Sequence, residues 1–299
     1  MQPGSPGRRT GLATLALLFV TATWGSTFFL IKDLVERVPV LDFLAIRFAI
    51  AAAALFLAAP RAIRRLSRRA RWQGAAMGLV YGVAQILQTT GLQHIAASVS
   101  GFVTGMYVVC TPLLAGLLLR QRVGGLVWVA VLLATAGLAV LSLRGFALGG
   151  GEALTFAASV LYALHIVALG EWSTTRDAYG LAVLQMTVIA VVCAVATAPN
   201  GLVLPSTTGD WLAVVYMALV AGAIALVLQT WAQAHLPATR AAIVMTMEPV
   251  FAALFAVLVG GEQFTVRMLV GGALVVAAML LAQLGPGRRI EAEVPHLAV

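Results

Sequence analysis

Apolar segments of about 20 residues follow one another along this chain, and they limit its fold more than any other feature. They run over residues 11–31, 40–60, 72–92, 97–119, 124–143, 150–170, 179–197, 211–234, 239–259 and 264–284. At ~1.5 Å rise per residue, each is long enough to cross a ~30 Å hydrocarbon layer as a helix. A helix is also the element that satisfies every backbone N–H and C=O without water. Composition agrees: 61% of the residues are hydrophobic and 10% are charged, which leaves too little polar surface to keep a soluble domain dispersed. The breaks are short and carry Pro, Gly or charge, as at Val38–Pro39, Pro199–Asn200–Gly201 and Gly285–Pro286–Gly287. They leave no room for an extramembrane domain.

Arg8–Arg9 followed by an apolar run invites a signal-peptide reading. The run continues from Gly11 to about Ile31, beyond the ~7–15 residues of a signal core, and no small-residue cleavage pattern closes it. It is expected to be a retained first span. Cys110 and Cys193 fall inside apolar segments, where two isolated thiols make neither a disulfide framework nor a metal site.

The net charge of +8 is placed as a topology signal. With the N-terminus in the cytoplasm, ten spans put Arg8, Arg9, Arg61, Arg64, Arg65, Arg68, Arg69, Arg71, Arg120, Arg122, Arg176, Arg240, Arg288 and Arg289 inside. Lys32, Arg37, Arg144 and Arg267 then fall outside, a bias of 14 to 4 with Arg47 left within a segment. Both termini, 1–10 and 286–299, are therefore expected as cytoplasmic tails. Nucleic-acid binding is not expected, since no domain remains to carry it.

An internal repeat emerges next. Trp24 and Arg47 match Tyr162 and Gln185 at an offset of 138. Leu87–Gln88–Thr89 with His94 matches Leu228–Gln229–Thr230 with His235 at 141, Trp72 matches Trp211 at 139, and Pro112 matches Pro249 at 137. The ordered set argues for two five-helix halves, 11–145 and 150–285. Five is odd, so the second half inserts upside down relative to the first, a construction that recurs in secondary transporters.

Trp24–Gly25–Ser26, Arg47, Pro112, and Glu248–Pro249 followed by Gly261–Glu262 resemble the EamA-like members of the drug/metabolite transporter superfamily over about 11–285. Among these, the YddG-type amino-acid exporters are nearest in length and in their aromatic interior. The resemblance implies an all-α membrane protein of ten transmembrane helices, with segments 1–4 and 6–9 around a central cavity and segments 5 and 10 at the periphery. One departure is Arg120–Gln121–Arg122 where the first half would carry a second Gly-Glu.

Several polar residues inside the segments ask for a partner or a wet cavity. Glu248, near the middle of the ninth segment, reads either as a proton-titrating group or ammonium partner, or as a brace for carbonyls freed by Pro249. His165 shares a helical face with Tyr162, opposite Trp24 and Thr27 of the first segment by repeat offset, and is either cavity lining or packing. Gly78, Tyr81, Gln85 and Gln88 share one face of the third segment; Gly222 and Gln229 echo it in the eighth. Ser100, Thr104, Tyr107 and Thr111 share one face of the fourth. The substrate-binding set expected from these stripes is Trp24, Thr27, Tyr81, Gln85, Gln88, Tyr107, Thr111, Tyr162, His165, Gln229 and Glu248. Arg47 is open to attracting a carboxylate, snorkelling outward or pairing with Asp42; with Pro112 and Pro249 it is assigned a gating or structural role. The ladders Gly74–Gly78–Gly82 and Gly101–Gly105 read as surfaces of close helix approach.

The leading functional reading is export of small metabolites, aromatic and neutral amino acids first, by alternating access. Multidrug or organic-cation efflux is the alternative, and a membrane-embedded enzyme is disfavoured because no catalytic or metal-ligand constellation accompanies Glu248 and His165. No cofactor and no metal are expected; the partners are a small-molecule substrate and the lipid bilayer, with a monomer as the expected form. Lys32 is the single lysine and alanine is abundant, a usage that fits a GC-rich bacterial genome and hence an inner membrane.

Overall fold

A computed structural model describes residues 6–120, 124–142, 149–174, 177–198, 201–233, 235 and 244–284. Among these, regular structure is entirely helical: α1 (Pro6–Leu34), α2 (Val40–Ala58), α3 (Arg68–Leu92), α4 (Ala97–Gly105), α5 (Tyr107–Leu118), α6 (Gly125–Ser142), α7 (Gly150–Trp172), α8 (Ala178–Thr197), α9 (Thr208–Ala218), α10 (Ala225–Gln233), α11 (Glu248–Leu258) and α12 (Val266–Leu284). Arg122, Arg144, Arg176, Arg240, Arg288 and Arg289 of the charge count lie outside the described residues, as do the tail 286–299 and the start of the ninth segment. α1 starts at Pro6, inside the stretch expected as a tail; proline suits a helix start, where no N–H is required.

Among the described residues, six stretches are long and apolar enough to cross a membrane: Gly11–Leu34, Val40–Ala58, Ala97–Leu118, Gly150–Trp172, Ala178–Thr197 and Thr208–Gln229. Gly125–Leu141, Glu248–Leu258 and Val266–Leu281 are shorter apolar helices. α3 has the length, but Gln85, Gln88, Thr89 and Thr90 make its second half more polar than those six. Large apolar side chains such as Leu57, Leu117, Leu132 and Leu258 stand on the outside of the bundle, the surface a lipid solvent accepts.

Three expected helices are interrupted. The fourth segment turns at Met106 between α4 and α5, six residues before Pro112. The eighth contains a π-helical turn, Leu219–Ile224, between α9 and α10, which shifts the hydrogen-bond register of the backbone. The ninth does not carry Glu248 mid-helix: Thr246–Met247 is a turn, and α11 starts at Glu248 with Pro249 in its first turn. Pro249 has no N–H to bond upstream, so the helix restarts where that donor is not needed.

The helix ends sort to two sides. At one end of the bundle, Lys32 of α1 donates to the Leu92 and Gln93 carbonyls that close α3, at 3.1 and 3.0 Å. Gly91 of α3 lies against Gly151 and Thr155 at the start of α7. The start of α2 meets the segment after α8, where Val203 N–H donates to Asp42 Oδ2 at 2.9 Å, and Thr197 at the end of α8 donates to Oδ1. Arg37, in the loop before α2, bonds Asp33 and also Asp210 at the start of α9, at 2.5 and 2.7 Å; the two carboxylates push its guanidinium further above its ordinary value. Glu262, just past α11, accepts from Ala97 N–H at 2.6 Å and from the Ser98 hydroxyl, capping α4. Arg267 at the start of α12 donates to the Val140 carbonyl of α6. At the opposite end, the Tyr179 hydroxyl of α8 donates to Leu55 O of α2 at 2.8 Å.

Candidate functional site

α6 and α12 pack chiefly on each other, through Gly137 and Gly271, and neither lines the central cavity. That cavity is walled by α1 (Trp24, Thr27, Phe28, Ile31), α2 (Arg47), α3 (Tyr81, Gln85, Gln88, Thr89, Leu92), α4 and α5 (Thr104, Tyr107), α7 (Tyr162, His165, Ile166), α10 (Leu226, Gln229), and Met245 with Glu248. Its empty space, open mouth included, is about 720 Å³, which caps an occupant at small-molecule size.

Every side chain of the substrate-binding set lines this space except Thr111. Its hydroxyl donates instead to Tyr107 O in its own helix at 2.7 Å. Ser100, on the same expected face, is buried with no partner for its hydroxyl among the described residues and lies off the cavity. Gly78 faces α8, where an added Cβ would stand 3.0 Å from Gln185 Cα. Pro112, inside α5, and Pro249, packed against Gly101 and Gly105 of α4, do not line the cavity.

The Trp24–Gly25–Ser26 triplet divides its work by direction. Trp24 faces the cavity and its indole donates to Ala221 O of the π turn at 2.8 Å. Gly25 meets α11, where a Cβ would fall 2.6 Å from that of Phe251, so only glycine lets the two helices touch there. Ser26 shares a 2.7 Å hydrogen bond with the Tyr216 hydroxyl.

The polar lining separates into groups that are saturated and groups that are not. Gln88 donates to Thr104 Oγ1 at 2.9 Å and accepts from the Tyr162 hydroxyl at 2.7 Å, so it braces α3 to α4 and α7. His165 Nε2 and Gln185 Oε1 share a 2.6 Å bond, and Gln185 also donates to Leu181 O at 3.2 Å. The His165 ring stacks on Tyr81 at 5.0 Å between centroids, and Tyr81 lies 5.6 Å from Tyr162. The Tyr107 hydroxyl donates to Glu248 Oε2 at 2.9 Å. By contrast, Gln85 Oε1 and Thr89 Oγ1 are buried with no partner among the described residues.

Arg47 departs from two of its expected readings. It does not snorkel, being 4% exposed. It does not pair with Asp42, whose carboxylate is taken by Thr197 and Val203. Its Nε donates to Met217 O at 3.2 Å and its guanidinium sits over Phe48, 5.2 Å from the ring centroid.

Phe28, Ile31, Leu92, Ile166, Leu226 and Met245 supply apolar lining that no polar stripe flags in the sequence. Asp42 and Glu262 are structural residues whose partners stand 155 to 165 positions away in the chain. Among the described residues no three His, Cys, Asp or Glu side chains gather as metal ligands.

A helical membrane bundle around a polar, aromatic-rimmed cavity is the architecture of a multi-pass membrane transporter. The sequence model of the EamA-like transporter family matches residues 11–143 and again 149–284. The chain belongs to that family, whose members are transporters and not enzymes. It is 28% identical over 287 residues to an uncharacterized transporter of Archaeoglobus fulgidus, an alignment covering 95% of this chain and 89% of that one. A solved crystal structure, described only as a protein, is similar with a TM-score of 0.66 at 22% identity, covering 94% of this chain and 99% of its own. That likeness concerns the fold alone.

Proposed function

We propose that the chain is a ten-helix carrier built of two inverted halves, 11–145 and 150–285, which exports small metabolites, aromatic and neutral amino acids first, by alternating access. The observation that carries the reading is a cavity walled by both halves in which an acid, Glu248, faces amides and aromatic rings. Amides offer donors and acceptors together, as an α-amino acid needs, while the rings of Tyr81, Tyr162 and Trp24 suit its side chain.

The inversion has support from where the helices end. At the end marked by Lys32, the close of α1 bonds the close of α3, which lies against the start of α7, and the start of α2 meets the close of α8. There too lie the close of α3 with the start of α9, the start of α4 with the close of α11, and the close of α6 with the start of α12. Packing follows the same exchange: α3 on α7 answers α1 on α10, while α2–α8 and α6–α12 answer themselves. Rocking one half against the other would alternately close the two mouths of the cavity. The charge bias favours the Lys32 end outside and both termini in the cytoplasm, and the residue usage favours a bacterial inner membrane.

The test is counterflow in proteoliposomes against amino acids and organic cations, with and without a proton gradient. Aromatic amino acids should exchange, and Tyr162→Ala should cut that exchange about tenfold without lowering folded yield; full exchange by the variant rejects the site. A second reading, efflux of organic cations, has Glu248 and the aromatic rim in its favour and the Arg47 charge against it. Under that reading Glu248→Gln abolishes proton-driven cation efflux; under the amino-acid reading no such efflux exists to lose.

A further inference from the structure

Burying a guanidinium is costly unless its five N–H donors and its charge are answered. Arg47 is 96% buried by its 4% exposure, yet among the described residues its one hydrogen bond is to Met217 O. Asp33 and Asp210 pair with Arg37, and no described acid forms an ion pair with Arg47. The two acids nearest in role are spent elsewhere: Asp42 on Thr197 and Val203, Glu248 on Tyr107. Arg47 lines the cavity, and its terminal N–H groups have no acceptor among the described residues.

We infer that Arg47 is the seat of a carboxylate on the transported molecule. This rests on the reading of the cavity as a transport site and deepens it by naming the chemical class: an anion-bearing aromatic small molecule. The Met217 carbonyl fixes the side chain through Nε, leaving the terminal N–H groups as a fork. A planar carboxylate meets that fork through two parallel bonds, a geometry a lysine ammonium does not offer. Phe48 backs the guanidinium, and Tyr81 approaches Phe48 edge-on at 6.4 Å between centroids while stacking on His165. A ring attached to the carboxylate by two or three bonds therefore rests on the Tyr81–Tyr162 wall. Met217 lies directly before the π turn that also holds Trp24, so a register change in that turn would move the Arg47 support and the Trp24 anchor together.

Three probes separate the charges on the purified full chain: 3-phenylpropionate carries the carboxylate alone, phenethylamine the amine alone, and L-phenylalanine both. Binding is read by tryptophan fluorescence and by calorimetry. The wild type is expected to bind 3-phenylpropionate and L-phenylalanine in preference to phenethylamine. Arg47→Gln should weaken the two carboxylates about tenfold or more and leave phenethylamine unchanged, with Arg47→Lys intermediate. A structural role for Arg47 would lower all three alike; an unchanged carboxylate-to-amine ratio in folded Arg47→Gln overturns the inference. Absence of carboxylate binding to the wild type at millimolar concentration overturns it too. If 3-phenylpropionate binds through Arg47 but amino acids do not exchange in liposomes, the amino-acid reading falls and the anion seat stands. If amino acids exchange equally well in Arg47→Gln, the reverse holds.

Discussion

Arg47 on α2 and Gln185 on α8 match by the sequence offset of 138, on helices packed side by side. Both are almost fully buried, yet they are completed differently. Gln185 closes its hydrogen bonds within the protein, to His165 and to Leu181 O. Arg47, which lines the cavity, makes one hydrogen bond among the described residues and leaves its other donors unanswered. The two positions correspond in sequence offset, and their chemistry differs. An amide can be finished by its neighbours for about 1 kcal/mol in a membrane; a buried charge left open marks a place where something arrives and leaves.

The largest effect expected of this contrast is in Arg47→Gln, which makes the α2 side as neutral as the α8 side. Counterflow of carboxylate-bearing substrates should then fall about tenfold or more, read as initial rates in liposomes. Gln185→Ala should do something different in kind. It strands His165 Nε2 and removes a tie to Leu181 O, costing about 1 kcal/mol of stability, seen as a lower melting temperature. Binding of 3-phenylpropionate should stay within about twofold; a loss equal to that of Arg47→Gln would erase the distinction between the two sides. The smallest effect belongs to Thr111→Val, whose hydroxyl reaches only its own helix. It should change stability by less than about 0.5 kcal/mol and leave counterflow at the wild-type rate. A transport defect there would place the site further along α5 than the geometry does.

The polar stripes were legible because helical spacing alone puts Tyr81, Gln85 and Gln88 on one face. It does the same for Tyr162 and His165, and the repeat offset tied these to Trp24 and Thr27. The same logic misplaced Thr111. Spacing says which residues share a face but not how far along the helix the cavity extends: Thr104 and Tyr107 line it, while Ser100 and Thr111 at the two ends of the stripe do not. Glu248 looked mid-helix for a related reason: an apolar run conceals a break whose signal is a single proline.

Alone, the sequence determined the solvent this protein lives in, the family it belongs to, and the helical character of its spans. The solvent and the helices follow from composition and local periodicity, since backbone groups in hydrocarbon must be satisfied within their own segment; the family follows from the short motifs that resemble its members. Only the tertiary structure decided which buried polar groups are finished and which are open. Asp42 is consumed by Thr197, Glu262 by the start of α4, and Arg47 by almost nothing, because those partners lie more than a hundred residues apart and meet only when the helices pack. The π turn that presents Ala221 O to Trp24, beside the Met217 carbonyl that holds Arg47, is likewise a product of that packing and has no local sequence signal.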